Sequence, residues 1–247
     1  AELEVYEYTD IHKILSNIPG VNFRPEEGYG LRPNISTRGT YADRSGKVTL
    51  MEDGVLIAPA PYAASSAYYF PTAGRIAGVE VLKGPAAISQ GPYTIGGAIN
   101  LLSTPIADES GGLINQELGQ DGTSRTHLHY SAVDTQVAFL VESHTWDTDG
   151  FDSIKGSDTD TGFDKDDILI KLRINSDPSL DGVYHELNIK YQDSEESSDQ
   201  SYVGLADADF RKDAHSRYGL SAYDNMDNSH ETTSFNYIAD IGNLELS

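Results

Sequence analysis

Along the second half of the chain, apolar residues return at every second position. Ile168, Ile170, Leu172 and Ile174 alternate with Leu169, Lys171 and Arg173, and Val183, His185, Leu187, Ile189 and Tyr191 alternate with Tyr184, Glu186, Asn188 and Lys190. Thr126, Leu128, Tyr130 and Ala132 stand against Arg125, His127, His129 and Ser131, and Thr233, Phe235, Tyr237, Ala239 and Ile241 form one face of a further segment. Successive strand side chains point to opposite faces, so this period of two predicts antiparallel strands in a sheet with two unlike faces. Taking 112–120 as the first strand, with a tight turn at Asp121-Gly122, the pattern gives six strands and the start of a seventh.

The connections carry the next step. They are short at 133–135, 176–182 and 242–243 and long at 148–162 and 194–230. A soluble sandwich shows the same alternation, but short turns on one side and long loops on the other are the habit of outer-membrane barrels, whose strands cross with about 9–11 residues. Six or seven strands cannot close such a wall, and each missing strand would leave an unpaired edge that hydrocarbon cannot solvate. The chain is therefore expected to hold only the leading part of a transmembrane β-barrel.

The first half follows other rules. Asp10 precedes Ile11, Ile14, Leu15 and Ile18 at helical spacing, and Pro19-Gly20 is the stop, so a helix is predicted across 10–20. Residues 75–104 place two short β-patterned runs, Val79 and Val81 before and Ile99 and Leu101 after, around four glycines and two prolines, with a fifth glycine at 78. Gly84, Gly91, Gly96 and Gly97 accept positive φ and Pro85 and Pro92 fix φ, so this stretch is shaped by backbone geometry.

These pieces, in this order, resemble the plug domain of TonB-dependent outer-membrane receptors. Val79, Val81, Lys83, Gly84 and Pro85 are similar to its V-x-V-x-[KR]-G-P run, and Gly91, Gly96, Gly97, Ile99 and Asn100 to the G-x-x-x-x-G-G-x-I-N that follows, with Gln90 where the family has tyrosine. Arg38-Gly39 and Asp53-Gly54 resemble two further motifs. Residues 58–62 and 202–210 look most like the ferric citrate receptor branch. The resemblance implies an α+β plug, a small mixed sheet with short helices, over 1–104 and the N-terminal portion of the barrel over 105–247. It also implies uptake of a ferric chelate, energised through TonB and its inner-membrane complex, from a bacterial outer membrane whose lipid and lipopolysaccharide surround the wall. A TonB box is not recognisable in residues 1–8 and is expected to precede them.

Composition narrows the alternatives. Gly is 23 and Tyr 15 of 247 residues, which suits a turn-rich β chain, and with no cysteine there is no disulfide or thiolate site. The net charge of −22 is uneven: residues 1–104 hold ten acids and eight bases, residues 105–247 hold 29 acids and nine bases. So acidic a chain repels phosphates, and no nucleic-acid partner is expected. No G-x-S-x-G, H-E-x-x-H or G-x-x-x-x-G-K-[ST] occurs, so no enzyme and no cofactor is expected. The alternative is a soluble acidic Ca2+-binding or adhesive β-protein.

For a transporter the chemistry belongs to a pocket. The resemblance places two plug loops at the extracellular side, 40–47 and 57–62, and gives Arg44, Lys47 and Tyr62 as candidate substrate contacts. Cationic donors at a loop tip offer charge-assisted hydrogen bonds to the carboxylates of an anionic chelate. Lys47 stands where the ferric citrate branch carries arginine, and it offers a point charge in place of a fork. The bland reading is two solvated loop charges. Arg38 and Lys83 are read as anchors pairing with wall carboxylates, and Gly39, Asp53, Gly54, Gly84, Pro85, Gly91, Gly96, Gly97 and Asn100 as the structural frame of the plug. Aspartates at 147, 149, 152, 158, 160, 164, 166 and 167 crowd one loop but lack EF-hand spacing, and are read as hydrated. His127 and His129 share a strand face, but with no third ligand placed they are read as lumen-facing polar residues, and no metal ligand is assigned.

Overall fold

The computed structural model describes residues 10–24, 26, 28–57, 68–177, 182–241 and 245–246. Two compact units divide the chain, Ala1–Thr104 and Pro105–Ser247.

The first unit opens with helix α1, Ile11–Ser16, capped by the Asp10 carboxylate, which accepts from the His12 amide at 2.8 Å. The apolar spacing predicts a helix reaching Pro19-Gly20. It ends at Ser16 instead, because Asn17 caps it and the Ile18 amide closes back on the Leu15 carbonyl at 3.0 Å, turning the chain into β1, Val21–Arg24. Strand β1 pairs with β2, Asn34–Thr37. A mixed four-stranded sheet carries the core, in the order β4 (Val55–Leu56), β3 (Val48–Glu52), β6 (Gly97–Ser103), β5 (Ile76–Leu82), with β3 and β6 parallel. Ile11, Leu15, Ile35, Val48, Leu50, Ile99 and Leu101 are buried together between helix and sheet, each worth about 1.5–3 kcal/mol of transfer free energy. Asp53 and Gly54, at φ 47° and 81°, form the two-residue turn joining β3 to β4.

Within that core lies a charge. Arg75 is fully buried, its guanidinium gripping both carboxylate oxygens of Glu52, one of them at 3.0 Å, and donating to the Tyr69 hydroxyl at 3.0 Å.

The second unit is one antiparallel meander: β7 (Gly111–Leu118), β8 (Ser124–Val133), β9 (Val137–Thr148), β11 (Phe163–Asn175), β12 (Tyr184–Ser198), β14 (Met226–Asp240) and the short β15 (Glu245–Leu246). The six strands and start of a seventh expected from alternation are there. Register aligns their apolar positions into rows on one face. Tyr130, Val141, Ile170 and Tyr191 form one, Ala132, Phe139, Leu172, Ile189 and Phe235 the next, and Val137, Ile174, Leu187 and Tyr237 a third. From Ile168 to Ile174 the band runs about 20 Å along β11. Among the described residues no helix is long and apolar enough to cross a membrane, which leaves crossing by strands open.

Strands β12 and β14 run past the apolar band, so the connection expected over 194–230 shrinks to 199–225. Residues 192–198 and 227–232 are polar on both faces, yet the hydrogen-bond ladder continues through them. On the outward side of this extension Asp147 lies opposite Asp164, Asp166 opposite Glu195 and Asp193 opposite Glu231. Like charges so placed destabilise the ladder by tenths of a kcal/mol.

The two long connections meet. Strands β10 (Ser153–Ile154) and β13 (Ser216–Arg217) pair in parallel, Arg217 Nε donates to Asp152 at 2.8 Å, and Lys155 approaches Asp209 of helix α2 (Asp207–Lys212) at 3.8 Å. The Asp209 carboxyl is held below its usual value, first by the Tyr218 hydroxyl donating at 2.6 Å and then by Lys155. A lowered carboxyl stabilises above the ordinary aspartate value of 3.8 and stops doing so as pH falls through the lowered value. Pepsin nicking of 199–225 is accordingly expected to rise on acidification through that range in the native protein, and to start at higher pH in Tyr218→Phe.

Candidate functional site

The loop after β2 is built on left-handed backbone. Arg38 and Gly39 (φ 52° and 77°) turn the chain, with the Thr40 amide and hydroxyl both donating to the Thr37 carbonyl. A 3-10 turn, Asp43–Ser45, follows, in which Arg44 and Ser45 hold φ of 51° and 54° without being glycine. Each such residue costs about 1–2 kcal/mol. The strain is held from beneath. The Ser45 hydroxyl, buried, accepts from the Ile35 amide at 2.8 Å and donates to the Pro33 carbonyl at 2.9 Å, while buried Asn34 accepts from the Arg44 amide at 2.5 Å. Arg44 is thus fixed in position at half exposure, Lys47 is exposed two residues past the turn, and Tyr41 shows 69% of its surface. Tyr41 escaped the sequence reading because a loop tyrosine carries no motif; its exposure beside two cations is what marks it. Tyr62 lies outside the described residues.

The frame residues form one connected lock. The Asp53 carboxylate accepts from the Ser103 amide at 2.9 Å and also from its hydroxyl, Asn100 accepts from the Gly54 amide at 2.8 Å, and Asn100 in turn donates to Glu80 at 2.9 Å. Gly84 turns at φ 88°, Pro85 opens the 3-10 turn Pro85–Gln90, and Gly91 closes it at φ 114°. Gly96 leaves no room for a side chain: its amide donates to the Lys47 carbonyl at 2.6 Å, and a Cβ would sit 2.8 Å from that oxygen. The signature thereby sets the base of the cationic loop. Lys83, expected to reach wall carboxylates, donates to the Pro19 carbonyl, and the Arg38 guanidinium lies against Gly84.

The aspartates of the acidic loop disperse. Asp164 and Asp166 face outward on β11, Asp167 faces the other way, and Asp152 pairs with Arg217, so among the described residues they make no convergent Ca2+ cage. The reading of His127 as lacking a third ligand is corrected: β9 brings Glu142 and His144 beside it. Register supplies them from a neighbouring strand, where local spacing shows nothing.

A family model, the TonB-dependent Receptor Plug Domain, matches residues 1–98. Over 229 residues the chain is 27% identical to the vitamin B12 transporter BtuB of Vibrio vulnificus (strain YJ016), covering 87% of this chain and 36% of that relative. Among solved structures, the ferric citrate transporter FecA in its unliganded form aligns at a TM-score of 0.71 and 20% identity, over 94% of this chain and 35% of that one. The ferric yersiniabactin uptake receptor FyuA from Yersinia pestis aligns at 0.67 and 20%, over 93% and 35%. The chain spans about a third of the length of each of these proteins.

Proposed function

From the premise that this chain belongs to the TonB-dependent receptors of the bacterial outer membrane, we propose that it is the plug and leading barrel strands of a transporter that takes up an anionic ferric chelate, a siderophore or a citrate-like complex. The observation that carries the reading is the strained, buttressed loop at 40–47. Backbone strain concentrates where function fixes a residue, and here it fixes Arg44 in the same loop as exposed Lys47 and Tyr41. A planar guanidinium and an ammonium at one loop tip suit carboxylate or hydroxamate oxygens of a chelate, and the phenol supplies a face for its organic part.

The remaining parts follow from physics. The outer membrane holds no ion gradient or nucleotide, so active uptake needs an external source of work, and TonB coupled to the inner membrane is the proposed partner. Sheet edges cannot stay unpaired in hydrocarbon, so the strands described are proposed to belong to a closed barrel of about 22 strands in the whole receptor. Lipid and lipopolysaccharide are proposed to meet the apolar rows.

Cobalamin is the second reading, favoured by the sequence likeness to a vitamin B12 transporter. Uptake assays in a receptor-deletion strain carrying the intact gene separate them. The expected result is accumulation of radiolabelled iron from at least one ferric chelate, and a fall of about tenfold at limiting substrate in Arg44→Gln/Lys47→Gln, the scale of one charged hydrogen bond lost. Lys47→Arg is expected to favour ferric citrate by restoring a fork. Uptake of cyanocobalamin with no ferric chelate transported would replace the iron reading with the other.

A further inference from the structure

We propose that His127, Glu142 and His144 form a binding site for one divalent transition-metal ion of the Zn2+ class, on the polar face of the β8–β9 hairpin. The antiparallel register sets His127 opposite His144 and His129 opposite Glu142, and β11 adds Asp167 opposite His144. All five lie on the face away from the apolar rows. The imidazoles of His127 and His144 stack at 3.9 Å with 15° between their planes, and their Nε2 atoms stand 2.8 and 3.2 Å from the same Oε1 of Glu142. The three donor atoms lie within 4.8 Å of one another. In a tetrahedral site with bonds of about 2.0–2.1 Å, ligand atoms are separated by about 3.3 Å. Two edges are therefore within about half an ångström of that length, and binding one ion requires the two stacked rings to turn so that both Nε2 lone pairs, which lie in the ring planes, aim at it.

The donor set selects the ion. Two imidazoles and one carboxylate suit Zn2+ and its borderline neighbours. Ca2+ and Mg2+ prefer oxygen shells, and Cu+ prefers the thiolates and thioethers missing from this trio. The field agrees: residues 105–247 carry 29 acids against nine bases, which concentrates cations and repels free anions. With three protein ligands a fourth position stays open, and His129, whose ring lies 5.8 Å from that of His127, is the near candidate to occupy it. The site is chemically distinct from the cationic loop and independent of which chelate that loop takes.

The competing arrangement is two neutral histidines merely donating to a shared carboxylate. Titration of the detergent-purified, EDTA-stripped full-length receptor with ZnSO4 decides between them, with bound metal read by equilibrium dialysis. One saturable site at micromolar Zn2+ is expected, weakened at least tenfold in Glu142→Gln and in His144→Gln and unchanged in His215→Ala. Co2+ titration of the unaltered receptor is expected to show the intense d–d bands of a four- or five-coordinate site, so the test survives if a variant fails to fold. Weak octahedral Co2+ absorption, no saturable Zn2+, or undiminished binding in folded Glu142→Gln would each overturn the proposal.

Discussion

Arg75→Ala is expected to cost the plug about 3–5 kcal/mol, the penalty for stranding a buried charge when its partner is removed. Glu52 stays only 5% exposed, and both its carboxylate oxygens are engaged by the Arg75 guanidinium. Protonation of Glu52 would soften the loss, so the deficit is expected to shrink at low pH. The pair joins the end of β3 to the start of β5, two strands that do not touch in the sheet order, and loosening it frees both ends of the parallel β3–β6 core. Amide hydrogen exchange on the purified receptor reads the effect as roughly a hundredfold or greater loss of protection in β3 and β6. Replacing both partners by apolar residues, Glu52→Leu with Arg75→Met, is expected to recover most of the stability, because no orphaned charge remains. Protection unchanged in Arg75→Ala would show that the pair is not a structural tie.

Gly97→Ala is the second large effect, expected at about 3 kcal/mol. At φ 121° the backbone lies where only glycine rests easily, and an added Cβ would sit 2.5 Å from the Leu82 carbonyl oxygen. The neighbouring pair Leu82–Ala98 begins the β5–β6 ladder, so relief of the clash has to come from parting those strands. Gly39→Ala is the control: its φ is also positive, at 77°, but nothing lies within 4 Å of the added carbon. Strain without a clash is expected to cost about 1 kcal/mol. Equal exchange rates in the two variants would mean that the Gly-Gly pair serves turn geometry alone.

Much of this was legible because it is local. Asp53-Gly54 names its own turn, and alternation from Ile168 to Ile174 names a strand with one apolar face. The extensions of β12 and β14 were hidden because polar residues on both faces erase the period that alternation detects. The strain at Arg44 and Ser45 has no signature either, since neither is a glycine; it is imposed by Asn34 and the Pro33 carbonyl, ten or more positions earlier. Arg75 reads as a loop cation until folding delivers Glu52 from 23 residues away. The histidine cluster lay closer to view. Once Val133 is paired with Ala138 across the short turn, register alone carries His127 to His144 and His129 to Glu142.

The parallel pairing of β10 with β13, bolted by Arg217 to Asp152, has a mechanical result. Two loops that leave the wall from different hairpins are welded into one arm, so neither swings without dragging the other. A crosslink grafted onto either arrests both.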